Sequence, residues 1–367
     1  MAIKTHKADY TLILIIAVIL VFGLVMLSSA SSFLGFEKFN DSNYYLKHQL
    51  LNGLSIGLGA FFLLSRIDYH VWKKFALFLM ILNVFLLLAI FIPGLGFGYG
   101  GARRWIQLGF FTIQPSEILK LVFILYLSTL FAKNIEHIKD PNYGLIPFLV
   151  ILGASAILIM RQPDMGTLII IILIALSIYF VAGASWKHLL WLILGSGALF
   201  LLLIKIAPYR TARLTVFLNP AIDPQGIGYH INQALLAIGS GGFFGLGLGH
   251  SRQKLLYLPE VTGDSIFAII AEEVGFLFSF VLIALFLALM YKGFQIAKHA
   301  PDTFGRLVAT GITAWFVLQA FINIAAMVTL VPLTGIPLPF VSYGSTALAV
   351  SLAATGILVN ISKQTNQ

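Results

Sequence analysis

Six ionisable residues stand within or beside long apolar runs: Glu117, Lys120, Arg161, Asp164, Glu272 and Glu273. Charge in such surroundings is costly, so each needs a partner or a purpose. Glu117 and Lys120 are three residues apart, which places them on one helical face as a buried pair able to shape or line a cavity. Arg161 and Asp164 repeat that spacing and read as a loop-ordering pair. Glu272 and Glu273 are adjacent and point about 100° apart on a helix, so they cannot both face one partner. A second group is basic: Arg103, Arg104, Arg161, Arg210, Arg213, Arg252 and Lys254. Headgroup anchoring explains any one of them. Together they suit an anionic ligand such as a phosphate or pyrophosphate, which arginine can clamp through two parallel hydrogen bonds.

Other chemistries find little support. The chain has no cysteine, which removes disulfides and thiolates. His48, His230 and His250 lack the i, i+4 spacing of a helical zinc pair. The glycines of Gly239-Ser240-Gly241-Gly242 and Gly245-Leu246-Gly247-Leu248-Gly249 match neither GxGxxG nor GxxxxGK[ST], so ATP is not the expected energy source. Close backbone approach explains them more simply. The net charge of +9 is scattered over loops rather than gathered in a run, so anionic lipid, not nucleic acid, is the expected partner.

The elements that position these residues are apolar helices. Of the 367 residues 59% are hydrophobic and 10% charged, a composition far from that of soluble domains. Runs of about twenty residues suffice to cross about 30 Å of hydrocarbon, and they are apolar on every face, which excludes a barrel. The runs predict an all-α polytopic protein of about ten spans, near 10–30, 48–65, 71–92, 115–131, 144–160, 166–183, 186–206, 265–291, 304–330 and 343–361. The first is long enough to be retained as a span, although Lys4 and Lys7 before it resemble a signal-peptide start. Basic residues of the short loops, among them Lys7, Arg66, Lys73, Lys74, Lys133, Lys292, Arg306 and Lys363, fall on one side. Both termini are therefore expected in the cytoplasm. The chain 1–367 reads as one domain, with a long extracytoplasmic loop over 207–264 before the eighth span. Apolar stretches in that loop, 231–238 and 243–248, predict docking on the bundle rather than disorder. Gly263-Asp264-Ser265 ahead of the apolar run reads, on its own, as a helix N-cap. Pro332, Pro337 and Pro339 predict either a helix break or a re-entrant loop.

A set of strings in fixed order is more specific than any one of them. They are Arg103-Arg104-Trp105-Ile106, Gln114-Pro115-Ser116-Glu117 through Lys120, Gln162-Pro163-Asp164-Met165-Gly166-Thr167, Ala237-Ile238-Gly239-Ser240-Gly241-Gly242, Tyr257-Leu258-Pro259-Glu260, Glu272-Glu273-Val274-Gly275 and Pro337 through Gly344. In this the chain resembles the SEDS family of bacterial cell-wall glycosyltransferases, the FtsW and RodA group, over nearly its whole length. It is closer to the FtsW branch, which serves division. The resemblance implies polymerisation of lipid II into glycan strands at the outer face of the cytoplasmic membrane. Undecaprenyl pyrophosphate is then the leaving group and inversion the stereochemical outcome. It implies Asp264 as general base, with Glu117, Lys120, Arg103, Arg104, Asp164, Arg210, Arg213, Lys254, Glu260 and Ser342 about the substrate. A divalent cation, Mg or Mn, is a possible helper whose ligands no motif identifies. The implied partners are a class B penicillin-binding protein, docked on the eighth and ninth spans, and other divisome or elongasome membrane proteins. The sequence departs from the family pattern at Thr262-Gly263 (His-Thr is usual), Ser265 (Phe), Ser345 (Gly) and His230 (Gln). Rival readings are an elongation polymerase of the RodA type, a lipid II flippase or transporter, and a non-catalytic scaffold.

Overall fold

The computed structural model describes residues 7–99, 102–109, 111–206, 208–219 and 222–365. Helix dominates because backbone surrounded by hydrocarbon must satisfy its own hydrogen bonds. The chain begins with α1 (Tyr10–Phe39), a rod made of α2 (Tyr44–His48), a π-helical turn (Gln49–Leu54) and α3 (Ser55–Leu64), and then α4 (His70–Ala89). Next come α5 (Pro115–Lys133), α6 (Leu145–Met160), α7 (Met165–Val181) and α8 (Trp186–Ile206). After α9 (Pro208–Leu218) and α10 (Tyr229–Ser240) follow α11 (Ile266–His299), α12 (Thr303–Met327) and α13 (Ser345–Ser362). Six of these, α1, α4, α5, α11, α12 and α13, are each long and apolar enough to cross a membrane. The rod, α6, α7 and α8 occupy the other expected spans. Aspartates fix several starts: Asp9, Asp164 and Asp302 accept from the first-turn amides of α1, α7 and α12.

The central helix is α12, packed against α11, α7, α5 and α13. Trp315, Phe316 and Leu307 are buried along it. The expected lipid-facing side of the ninth span is therefore absent over most of its length, because neighbours cover it on every side. By contrast α11 presents Phe276, Phe278, Phe280, Val281 and Leu287 outward. The two chain ends share one end of the bundle: the Asp9 amide donates to Ser362 Oγ at 3.2 Å, and Lys292 lies 3.6 Å from Asp9. Because the continuous part of α11, from Phe276 to His299, rises about 36 Å, the residues at its start lie at the opposite end.

Two features depart from the helical expectation. The connection before α5 forms a small antiparallel sheet of β1 (Gly96–Tyr99), β2 (Ala102–Leu108) and β3 (Phe111–Ile113), in the order β1-β2-β3. The second is a break in α11 at Gly275, whose φ of 77° and ψ of −175° are not helical. The freed backbone groups are taken up by a loop: Leu246 and Gly247 amides donate to the Glu272 and Glu273 carbonyls at 2.9 and 3.0 Å. In return, Phe276 and Leu277 amides donate to Gly242 and Phe243 at 2.9 and 3.1 Å. A side chain at 275 would collide with the backbone of Phe244 and Gly245, so only glycine fits. The long connection is otherwise ordered as expected, with α10 seated on α11 through Ile231, Ala234 and Ala237.

Candidate active site

Asp264 sits where the long connection turns into α11. Ser265 is the N-cap residue of that helix, and its side chain makes no capping bond. The cap reading of Asp264 is therefore replaced by a different set of contacts. Asn323 of α12 donates from one Nδ2 to the Asp264 carbonyl and to the Ile336 carbonyl, each at 2.7 Å. Ser342 donates to the Gly263 carbonyl at 2.7 Å and accepts from the Leu338 amide at 2.8 Å, and Tyr343 N–H reaches Thr262 at 2.8 Å. The turn before Asp264 bends through Glu260, a non-glycine at φ 52°, whose carbonyl accepts from Gly263 and Ser265. Such backbone persists only where its surroundings hold it. Thus Ser342, expected at the substrate, holds the segment that carries Asp264.

Two cavities lie close to this carboxylate, which borders neither itself but is approached by residues that do. One, about 310 Å³, is lined by Arg104, Asp164, Arg213, Thr334 and Gly335 among others. A methyl built on Gly335 would come within 3.9 Å of Asp264 Oδ2. The other, about 690 Å³, is lined by Lys38, Tyr45, Phe97, Trp105, Glu260, Thr262 and Tyr343. Burial pushes the Asp264 carboxyl up to about 6 against the opposing charge of Arg213. Burial and then the charge of Asp264 raise the Glu260 carboxyl as well. A carboxylate held near neutrality between two cavities is poised to take a proton.

The expected basic clamp is only partly assembled. Arg103 and Arg104 are neighbours on β2 and so point to opposite faces. Arg103 is exposed, whereas Arg104 lines the smaller cavity and donates to the Gln162 carbonyl at 3.2 Å and to that of Pro163. Arg213 lines the same cavity and donates to the Leu333 carbonyl at 3.2 Å. The side chain of Arg210 lies outside the described residues. Asp164 borders the cavity too, but both of its oxygens serve Thr167, from the amide at 3.1 Å and the hydroxyl at 2.8 Å. It caps α7 and, among the described ion pairs, makes none with Arg161. Lys254 borders the larger cavity, with its ammonium paired 2.8 Å from Glu273 and 3.0 Å from Ser29 Oγ. Glu272 bonds Ser251 Oγ and the Arg252 amide. The two adjacent glutamates thus reach one segment, 251–254, because that segment wraps the helix.

Glu117 and Lys120 form the expected buried pair at 2.7 Å, with side chains 4% and 2% exposed. It lines neither cavity beside Asp264. Lys120 Nζ continues to Gln319 Oε1 at 3.0 Å, and Gln319 Nε2 donates to the Pro337 carbonyl at 2.8 Å. The pair is thereby linked to the non-helical segment 331–344, of which Ile336 and 338–342 are buried among the helices. On the other side, Gln49 in the π-helical turn holds the same segment through the Ser342 carbonyl and the Gly344 amide. Gln49, Gln319 and Asn323 carry no charge and are not among the residues the sequence singles out. Their signal was an uncharged amide in an apolar run, a common interhelical tie. Among the described residues no three carboxylate or histidine side chains gather as a metal site.

A family model described as a cell cycle protein of the FtsW, RodA and SpoVE type matches residues 10–367. The chain belongs to that family. It is 42% identical to the stage V sporulation protein E of Bacillus subtilis over 99% of both chains. A probable peptidoglycan glycosyltransferase FtsW of Trichlorobacter lovleyi is 41% identical, covering 97% of this chain and 93% of that one. Among solved structures, a chain of a peptidoglycan synthase complex that coordinates polymerization and crosslinking superposes with a TM-score of 0.78 at 26% identity, over 97% of each chain. The Thermus thermophilus rod shape determining protein RodA gives 0.71 at 27% identity over 98% of each. Family membership, all-α fold and multi-pass membrane character accord with one another.

Proposed function

We propose that the chain is a peptidoglycan glycosyltransferase that polymerises lipid II, with Asp264 as general base. The observation that carries it is a carboxylate raised to about 6 between an arginine-bordered cavity and a larger aromatic one. The acceptor hydroxyl gives its proton to Asp264 as its oxygen bonds to the anomeric carbon of the donor. The bond from that carbon to the pyrophosphate breaks on the opposite side, which inverts the centre. Negative charge builds on the leaving undecaprenyl pyrophosphate, where Arg104 and Arg213 can meet it. This places the donor in the smaller cavity and the acceptor beside Tyr45, Trp105 and Tyr343. The activated pyrophosphate supplies the driving force, so no nucleotide is needed.

Charge supports the orientation: Arg66, Lys73, Lys292, Lys298 and Lys363 fall toward the end where Asp9 meets Ser362, as expected of cytoplasmic termini with Asp264 outside. The partner is a class B penicillin-binding protein, seated on the exposed aromatic side of α11. Purified full-length protein with labelled lipid II tests the reading. Glycan strands are expected, and translocation without polymer would make the chain a carrier instead.

A further inference from the structure

We propose that His230 is a positioning residue for Asp264, acting through the hydroxyl of Ser265. The inference rests on the reading of Asp264 as the base and adds how that base is held. Ser265 is fully buried, directly follows Asp264, and its oxygen is 3.5 Å from Asp264 Oδ1. His230 comes from a different element, α10, and its Nε2 lies 2.6 Å from the same oxygen. Since the Ser265 side chain makes no capping bond to α11, its oxygen is free to accept from His230, and its single proton can go to one of these two neighbours.

A hydroxyl has one proton to give, so the direction of the short contact decides what Asp264 receives. An imidazole protonated at Nε2 donates to Ser265 and turns the hydroxyl proton toward Asp264. The opposite tautomer takes that proton and leaves Asp264 without it. The groups that face this cluster are Arg213 from α9, Glu260 from the preceding loop and Asp264 itself, with Lys38 of α1 beyond Glu260. Burial and then Arg213 hold the His230 imidazole down at about 4, against Glu260. Across the range from pH 5 to 8 it is therefore neutral and not a sink for protons, with one N–H, which we place on Nε2. Its helix packs against α11, with Ile231, Ala234 and Ala237 buried, which keeps the ring near the start of that helix. A hydrogen bond to the ionised carboxylate favours that form. It also holds Oδ1 in place, while Oδ2 stays on the side of Gly335 and the cavity.

The test is glycan-strand synthesis by the full-length protein across pH 5–8. His230→Leu should move the acid midpoint up by about 0.5–1 unit and slow synthesis several-fold at pH 6. The plateau at higher pH should change less. Ser265→Ala should do the same, and the double variant should do no more than the stronger single, because both act through one hydroxyl. His230→Gln should stay close to the unaltered chain, since its amide can also donate. An unmoved midpoint in a polymerising His230→Leu protein overturns the proposal, as do additive effects or a Gln variant that behaves like Leu. Should His230→Leu misfold, Ser265→Ala, which deletes one oxygen, is judged by the same midpoint. No polymer from the unaltered chain at any pH overturns the glycosyltransferase reading and this proposal with it, whereas an unmoved midpoint overturns this proposal alone.

Discussion

Replacing Lys120 with Met keeps the length of the side chain and removes its charge from the interior of the bundle. The ammonium is 2.7 Å from Glu117, and the two side chains are 2% and 4% exposed. Neither charge can turn to water. Removing one partner from a pair this buried strands the other, at about 3–5 kcal/mol. The ammonium also lies 4.9 Å from the Trp315 ring centre, a contact worth about 1–2 kcal/mol when desolvated. The link onward should outlast the change: Trp315 Nε1 still donates to Gln319 at 2.7 Å, and Gln319 still reaches Pro337. Stability should fall first, and polymer yield should fall with it as less of the protein stays folded. The assay is the thermal unfolding midpoint in detergent, read beside glycan yield from the same preparation. Lys120→Met should lower the midpoint by several degrees, and adding Glu117→Gln should recover at least half of the loss by removing the stranded charge. Unchanged midpoint, expression and yield in Lys120→Met would refute a buried anchoring pair.

Polymerisation should fall on acidification through about pH 6, because the base must be ionised and burial has raised its carboxyl to that value. A rate flat from pH 7 to 5 would contradict this. Arg213→Gln should move that limb to higher pH, since the arginine's charge opposes the rise, and should weaken use of the pyrophosphate substrate; a pH–rate curve at two substrate levels separates the two effects. Gly275→Val should abolish folded protein, because its backbone lies at φ 77° and its new side chain would enter the backbone of Phe244 and Gly245. Recovery of a folded, monodisperse Gly275→Val protein by gel filtration would contradict the stitched break in α11.

The spans were legible because apolar length is a local property, and the Glu117–Lys120 pair because a three-residue spacing already fixes a helical face. The sheet at β1–β3 was not, since four-, seven- and three-residue strands give too short a pattern. It is this sheet that separates Arg103 from Arg104. Nor was the break at Gly275 visible, because a glycine inside an apolar run is ordinary until a second backbone arrives beside it. The pairing of Lys254 with Glu273 and the wrapping of 251–254 around α11 depend on the path of the connection, which spacing along the chain does not encode. His230 and Ser265 stood out separately as departures from the family pattern. That they touch, across thirty-five positions, only the fold reveals.

Asp264→Asn isolates the proposed chemistry from the structure around it. The cap position belongs to Ser265, and the bond from Asn323 goes to the backbone carbonyl of residue 264, so neither depends on the carboxylate. Purified Asp264→Asn protein should match the unaltered chain in gel filtration and thermal midpoint, while losing glycan-strand synthesis by far more than the tenfold that a displacement worth about 1.4 kcal/mol would give. Near-normal strand synthesis by a well-folded Asp264→Asn protein would contradict Asp264 as the base and turn attention to Glu260.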